Sequence, residues 1–195
     1  MVAMQDLDLI KERIHQSIYT KEMLLSDEQM LVRIHELSEE IISTIRSGGK
    51  ILICGNGGSA SDALHFAGEI VGRFQRERKG WPAIALNADV AALTAIANDY
   101  GYHSVFERMS EAYMTGSDLL IGISTSGNSE NVYRALKKAQ EIGGKTAALL
   151  GGSGGRIAPE VDLSIIVPSK ITARVQECHI AIIHIICELI EDRLS

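Results

Sequence analysis

Cysteine is scarce, basic charge is not in excess, and no apolar run is long enough for a membrane. The three cysteines, Cys54, Cys178 and Cys187, sit among apolar neighbours without CxxC spacing. Buried thiols in a reducing compartment are therefore expected, not a disulfide framework. A formal charge of -6 gives no electrostatic reason to bind nucleic acid, so an anionic substrate would have to be held by local dipoles. The longest apolar stretch, IAIIHIICELI, is too short to span a bilayer and is interrupted by His184 and Glu188. The first residues, MVAMQDLDLIKERIHQ, are mixed in charge and contain no continuous apolar segment of the signal-peptide kind. No nucleic acid, no membrane and a cytoplasmic location are the expectations.

What is present is ordinary globular composition, 46% hydrophobic and 23% charged over 195 residues. That fits one domain, residues 1–195, with a substantial core. No repeat, low-complexity tract or linker divides it. Two helices come first, one around Leu7 to Leu25 and one opening at Ser26 with Gln29 at capping-box spacing. In the second, Leu31, Ile34, Leu37, Ile41 and Ile45 recur at helical intervals, and Gly48-Gly49 stop it. This pair, residues 1–49, reads as packing or oligomer surface. From Lys50 the runs KILIC, PAIAL, LLIGIS, TAALL and LSIIVP are apolar throughout and alternate with helical stretches. They predict an α/β fold, a doubly wound five-stranded parallel sheet covered on both faces, closed by a long last helix from about Ile171 to Leu194.

In such a sheet, ligands bind beyond the carboxyl ends of the strands, near the reversal of strand order. Two polar turns are expected there. GNGGS follows the first strand, where glycines let a ligand approach the backbone closely. STSGNS follows LLIGI and sets the hydroxyls of Ser124, Thr125, Ser126 and Ser129 at a helix N-terminus. Such a loop surrounds a phosphate without lysine or arginine, helped by the helix dipole. An ordinary capping turn needs only one of the four. Downstream of GNGGS, His65 and Glu69 share one helix face, a spacing that suits metal binding or proton transfer. A semi-buried structural histidine is the plainer alternative. In the last helix, His184 among isoleucines must find a polar partner or lose its charge. Asn98 and Asp99 in AIANDYGYHSVF read by themselves as a turn between helical stretches.

GNGGSA also fits the loose dinucleotide pattern G-x-G-x-x-A. The next strand, however, ends in Asn87 and Ala88, with Asp89 slightly late for a ribose. That reading also leaves STSGNS and the His65/Glu69 pair without a role.

Four segments in this order, CGNGGSASDALHFAGE, AIAND, GISTSGNSENV and RVQECHIAIIH, resemble the phosphoheptose isomerases of the sugar isomerase (SIS) superfamily, over nearly the whole chain. The resemblance implies an aldose–ketose isomerase that converts sedoheptulose 7-phosphate to D-glycero-D-manno-heptose 7-phosphate, the first step towards activated heptose for bacterial surface polysaccharides. It implies a homotetramer with active sites at subunit contacts and one zinc per subunit. Carried over by motif, the substrate contacts are Asn56, Gly57, Gly58, Ser59, Glu69, Asn98, Asp99, Ser124, Thr125, Ser126, Ser129 and Gln176. The metal ligands are His65, Glu69, Gln176 and His184, with Glu69 and His184 as the acid–base pair. Where some members carry aspartate before the last-helix arginine, this sequence reads Ala173-Arg174; the departure bears on one polar sugar contact, not on the reaction.

The chemistry is consistent with those residues. Moving a proton between C1 and C2 through an enediol needs a base, an acid and stabilisation of oxyanion charge. A residue that ligates zinc is not free to take a proton, so the two roles compete at Glu69 and His184. A non-catalytic SIS module that binds a sugar phosphate or a protein partner is the alternative class, and the presence of both Glu69 and His184 favours the enzyme. Gln176 and His184 lie about 12 Å apart along one helix. The simplest geometry then has a neighbouring subunit supply one end of that helix, His184.

Overall fold

The computed structural model describes residues 4–195. Helix α1 runs Met4–Leu25 and α2 Glu28–Arg46. The cap between them differs from the expected Ser26–Gln29 box. Asp27 is the N-cap, accepting from the Met30 backbone N–H at 3.1 Å, while the Ser26 hydroxyl turns back to the Glu22 carbonyl and finishes α1. A carboxylate one residue later also complements the positive end of α2. The α2 stripe buries Ile34, Leu37, Ile41 and Ile42, while Leu31 at its start stays exposed.

Five parallel strands follow: β1 Ile51–Gly55, β2 Ala83–Ala85, β3 Leu119–Ser124, β4 Lys145–Gly151 and β5 Leu163–Val167. Between them lie α3 (Gly58–Val71), α4 (Val90–Tyr100), α5 (Val105–Tyr113) and α6 (Glu130–Ile142), and α7 (Thr172–Leu194) ends the chain. The predicted sheet and its five strands are all present, and β2 is trimmed to three residues. Pro82 has no N–H to donate, yet its carbonyl still accepts from Ile51.

Alternation along the strands splits the interior into two layers. Ile51, Ile53, Leu119, Ile121, Ala147, Leu149 and Ile165 face α2, α3 and α7. Leu52, Cys54, Leu120, Ala148 and Leu150 face α5 and α6. Each fully buried Ile or Leu contributes roughly 1.5–3 kcal/mol, and with both faces covered the central strands have no polar positions to spare. That is why they read as unbroken apolar runs. All three cysteines are buried and free, and burial raises the Cys54 and Cys187 thiols to about 12.

The strand order is β2-β1-β3-β4-β5. The chain leaves β1 towards β2 on one side and returns to β3 on the other, so the order reverses between β1 and β3. Ile53 pairs with Ile121 and Gly55 with Ile123. Both polar turns therefore emerge side by side at the reversal.

Candidate functional site

Two helix N-termini meet above the β1/β3 boundary, and neither has a side-chain cap. Gly57, at φ 57°, turns the chain into α3 without offering a capping group. At α6 the N-cap is Ser129, but its hydroxyl pairs with that of Ser124 at 2.9 Å and caps nothing. By contrast, α2 and α4 are capped by Asp27 and Asp89. No side-chain cap closes the positive end of α3 or α6, although Asn131 Oδ1 accepts the Val132 N–H within the first turn of α6. The plain capping explanation of the four hydroxyls does not hold, because Ser129 is not used as a cap. The loop is tight: Gly127 has φ 67°, and a Cβ there would lie 2.1 Å from the Gly154 carbonyl oxygen. Ser124 is buried, Thr125 half-buried and Ser126 exposed, with Ser126 Oγ accepting from the Asn128 N–H at 3.2 Å.

The two turns are held to each other through Asn56, an expected substrate contact, and through Asn131, Tyr102 and Asn87, which sequence reasoning missed. Asn56 and Asn131 exchange amide hydrogen bonds: Asn56 Nδ2 donates to Asn131 Oδ1 at 2.8 Å, and Asn131 Nδ2 to Asn56 Oδ1 at 2.9 Å. The Tyr102 hydroxyl adds a third bond to Asn56 Oδ1 at 2.9 Å. On the other side, Asn87 takes the Gly55 N–H and donates to the Gly55 carbonyl. Asn87 thus braces the turn from the position where a dinucleotide site would hold a ribose, and Asp89 is occupied in capping α4. Asn131 buries its amide in the first turn of α6, where its Oδ1 also accepts the Val132 N–H; the partner 75 residues away accounts for the rest of that amide.

Asn98 and Asp99 are not in a turn. They belong to the last helical turn of α4, which runs on until Gly101 at φ 86°. Both are exposed, and the Asn98 amide donates to Asp99 Oδ1. No hydrogen bond joins them to either loop among the described residues; only Tyr102, just beyond, reaches Asn56.

Helices α3 and α7 lie side by side and in parallel. At one end, Gln176 abuts Gly58, so closely that a Cβ on Gly58 would stand 2.3 Å from Gln176 Nε2. Two turns along, His184 Nε2 is 3.3 Å from His65 Nε2, and His65 Nε2 is 3.0 Å from Glu69 Oε1. His184 has found its polar partner inside its own chain. The simplest expected geometry had a neighbouring subunit supply His184, but within one chain the parallel packing already sets residue 58 beside 176 and residue 65 beside 184. Gln176, which the same expectation grouped with them, stays at the glycine turn about 12 Å away along α7.

Two imidazole nitrogens and a carboxylate oxygen are donors that suit zinc. They form a chain through His65, and no ion pair joins Glu69 to His184. Among the described residues no group of three or more His, Cys, Asp or Glu side chains closes around a common point. Asp62, one turn before His65, was also missed. Burial raises its carboxyl to about 6, against the opposing pull of His65, and its Oδ2 is buried without a partner. A cleft of about 700 Å³ at the α1–α2 turn, lined by Tyr19, Glu22, Met23 and Ser26, contains none of these residues.

Residues 20–151 match the SIS domain family. A phosphoheptose isomerase of Helicobacter pylori (strain P12) is 52% identical over 186 residues, 94% of this chain and 95% of its own length. The chain belongs to the phosphoheptose isomerase family. The fold agrees with solved members. A phosphoheptose isomerase GmhA from Neisseria gonorrhoeae superposes with a TM-score of 0.90 at 40% identity, covering 95% of this chain and 98% of its own. One from Francisella tularensis gives 0.92 at 36%, covering 96% and 98%.

Proposed function

We propose that this chain is an aldose–ketose isomerase converting sedoheptulose 7-phosphate to D-glycero-D-manno-heptose 7-phosphate, at the start of the supply of activated heptose for bacterial surface polysaccharide. Membership of the phosphoheptose isomerase family supports the reaction. The observation that carries the site is the chain Glu69–His65–His184, about 10 Å along α3 from that helix's own uncapped N-terminus. The phosphate is received at the α6 N-terminus by Ser124, Thr125, Ser126 and Ser129. In this reading Asn56, Gly57, Gly58, Ser59, Gln176, Asn98 and Asp99 supply the contacts to the sugar.

Isomerisation removes a proton from C1 of the ketose, passes through an enediol and returns a proton to C2. Glu69 and His184 divide the carbon-bound and oxygen-bound proton transfers between them. His65, in contact with both, holds them in order. Zinc, one per subunit, would be held by His65, Glu69 and His184 and would polarise the substrate oxygens; Gln176, two turns away on α7, faces the glycine turn instead. A homotetramer in the cytoplasm completes the proposal. The association of subunits, though not their number or location, is supported by the stripe of exposed apolar side chains on α1, Leu7, Ile10, Ile14 and Ile18, which its own chain leaves uncovered. No helix among the described residues is long and apolar enough to cross a membrane.

The test is a direct assay on sedoheptulose 7-phosphate beside fructose 6-phosphate and ribulose 5-phosphate. Glu69→Gln and His184→Ala should each lower kcat by about 10²–10⁴-fold with the oligomer intact. Near-wild-type turnover in both variants refutes the roles.

A further inference from the structure

The segment from Gly72 to Pro82, between α3 and β2, is neither helix nor strand, so its backbone N–H groups need partners from elsewhere. One buried carboxylate supplies three. Glu191, near the end of α7, accepts from the N–H groups of Phe74 (3.0 Å), Gln75 (2.7 Å) and Arg76 (2.8 Å), and from Arg78 Nε at 2.9 Å. The Arg78 guanidinium in turn donates to the carbonyls of Glu69 (2.8 Å), Ile70 (3.0 Å) and Gly72 (3.1 Å), which the end of α3 leaves open. It also lies over the Trp81 ring, 3.6 Å from the centroid. The Arg78 and Glu191 side chains are only 5% and 2% exposed.

A buried ion pair is weak evidence of stability by itself, because desolvation opposes it. Its location is informative. Glu191 lies seven residues after His184, two turns along one face of α7. The Glu69 residue whose carbonyl Arg78 holds is the one whose carboxylate meets His65. Phe74, whose amide Glu191 holds, sets its ring 5.7 Å from that of His184, tilted by 31°. The pair therefore grips α3 through the Glu69 carbonyl, α7 through Glu191 itself, and the His184 imidazole through Phe74.

We propose that Arg78, Glu191 and Phe74 are positioning residues for the proton-transfer groups: the buried pair locks the end of α3 and the Phe74 ring against α7 and so keeps His184 in line with His65 and Glu69. The proposal rests on the assignment of Glu69 and His184 as the proton-transfer pair. None of the three donates or accepts a proton in the reaction. Misplacing a catalytic group by about 1 Å costs up to about 100-fold in rate.

The test compares Phe74→Leu, Phe74→Tyr and Glu191→Gln with the wild-type enzyme on sedoheptulose 7-phosphate, with Glu69→Gln and His184→Ala in parallel. Phe74→Leu and Glu191→Gln should lower kcat about 10- to 100-fold and shift the pH profile of kcat. KM should stay within about twofold, because the phosphate loop belongs to other elements. Phe74→Tyr keeps the ring and should restore kcat. A structural anchor alone would lower the melting temperature but leave kcat and its pH profile unchanged; that result in folded Phe74→Leu overturns the proposal, as does a rise in KM alone. If Glu191→Gln does not fold, the Phe74→Leu and Phe74→Tyr comparison decides. If Glu69→Gln and His184→Ala keep full turnover, the underlying assignment fails and this proposal with it. If those two lose turnover and Phe74→Leu does not, only the positioning role fails.

Discussion

Gly58→Ala should separate stability from activity at the α3 N-terminus. Gly58 is helical, and the atoms in the way of a Cβ are Gln176 Nε2 at 2.3 Å, Cδ at 2.8 Å and Oε1 at 3.0 Å. All belong to the end of one flexible side chain. Restoring ordinary contact at 3.4 Å moves the amide by 1.1 Å and leaves the backbone where it is. Alanine is preferred over glycine in a helix interior by about 0.8–1.0 kcal/mol, and by less in the first turn, so thermal stability should hold or rise slightly. Activity should move the other way. One lost hydrogen bond costs about 0.5–1.5 kcal/mol, and an approximately 1 Å misplacement raises the loss to as much as 100-fold. A fall in kcat/KM of roughly five- to hundredfold is expected, equivalent to about 1–3 kcal/mol. Steady-state kinetics and thermal melts of Gly58→Ala, Gln176→Ala and the double variant form the assay. If the effect passes through Gln176, the double variant is no worse than Gln176→Ala alone. Wild-type kcat/KM in Gly58→Ala, or full additivity in the double variant, refutes the reasoning. Gly55→Ala is the contrast: its Cβ would meet the Ser59 backbone oxygen at 2.5 Å, which no rotamer relieves, so that variant should lose stability.

Ser126→Ala should weaken binding of the phosphorylated sugar by about 1–2 kcal/mol, measured by calorimetry. Unchanged affinity in Ser124→Ala/Ser126→Ala would put the phosphate elsewhere. Asn131→Ala removes both amide bonds to the half-buried Asn56, which keeps the Tyr102 hydroxyl, so a stability loss of about 0.5–1.5 kcal/mol and a raised KM should appear together; a raised melting temperature would count against the amide lock. Burial acts to raise the Glu191 carboxyl, but the N–H groups of Gln75, Arg76 and Phe74 and the Arg78 side chain together outweigh it and bring the group from 4.5 to about 2. A depressed carboxyl contributes stability that is complete above the unfolded value near 4.5 and is lost as pH falls towards 2. Urea unfolding at stepped pH should therefore show an acid-side loss in the wild type that is flatter in Glu191→Gln; identical slopes between pH 4.5 and 2 would remove Glu191 from that loss.

The sequence by itself determined the class of fold and where the two polar turns fall along the chain. Five apolar runs in a helical alternation admit little except a covered parallel sheet, because a strand buried on both faces has nowhere to place a polar residue. GNGGS and STSGNS were legible because glycine and hydroxyl clusters at helix starts have local causes, in backbone freedom and in open N–H groups. Local signals were blunt at boundaries: Asp27 displaced Ser26 as a cap, and Asn98-Asp99 lengthened α4 where a turn was expected. Only the tertiary structure decided which distant groups meet. Asn56 with Asn131, Arg78 with Glu191 and His65 with His184 are 75, 113 and 119 residues apart. No period along the chain encodes such pairs; they follow from the strand order β2-β1-β3-β4-β5 and from α7 lying parallel to α3. That packing brings His184 to the Glu69 end of α3 and leaves Gln176 at the glycine turn, because side chains two turns apart on a rigid helix cannot reach the same point.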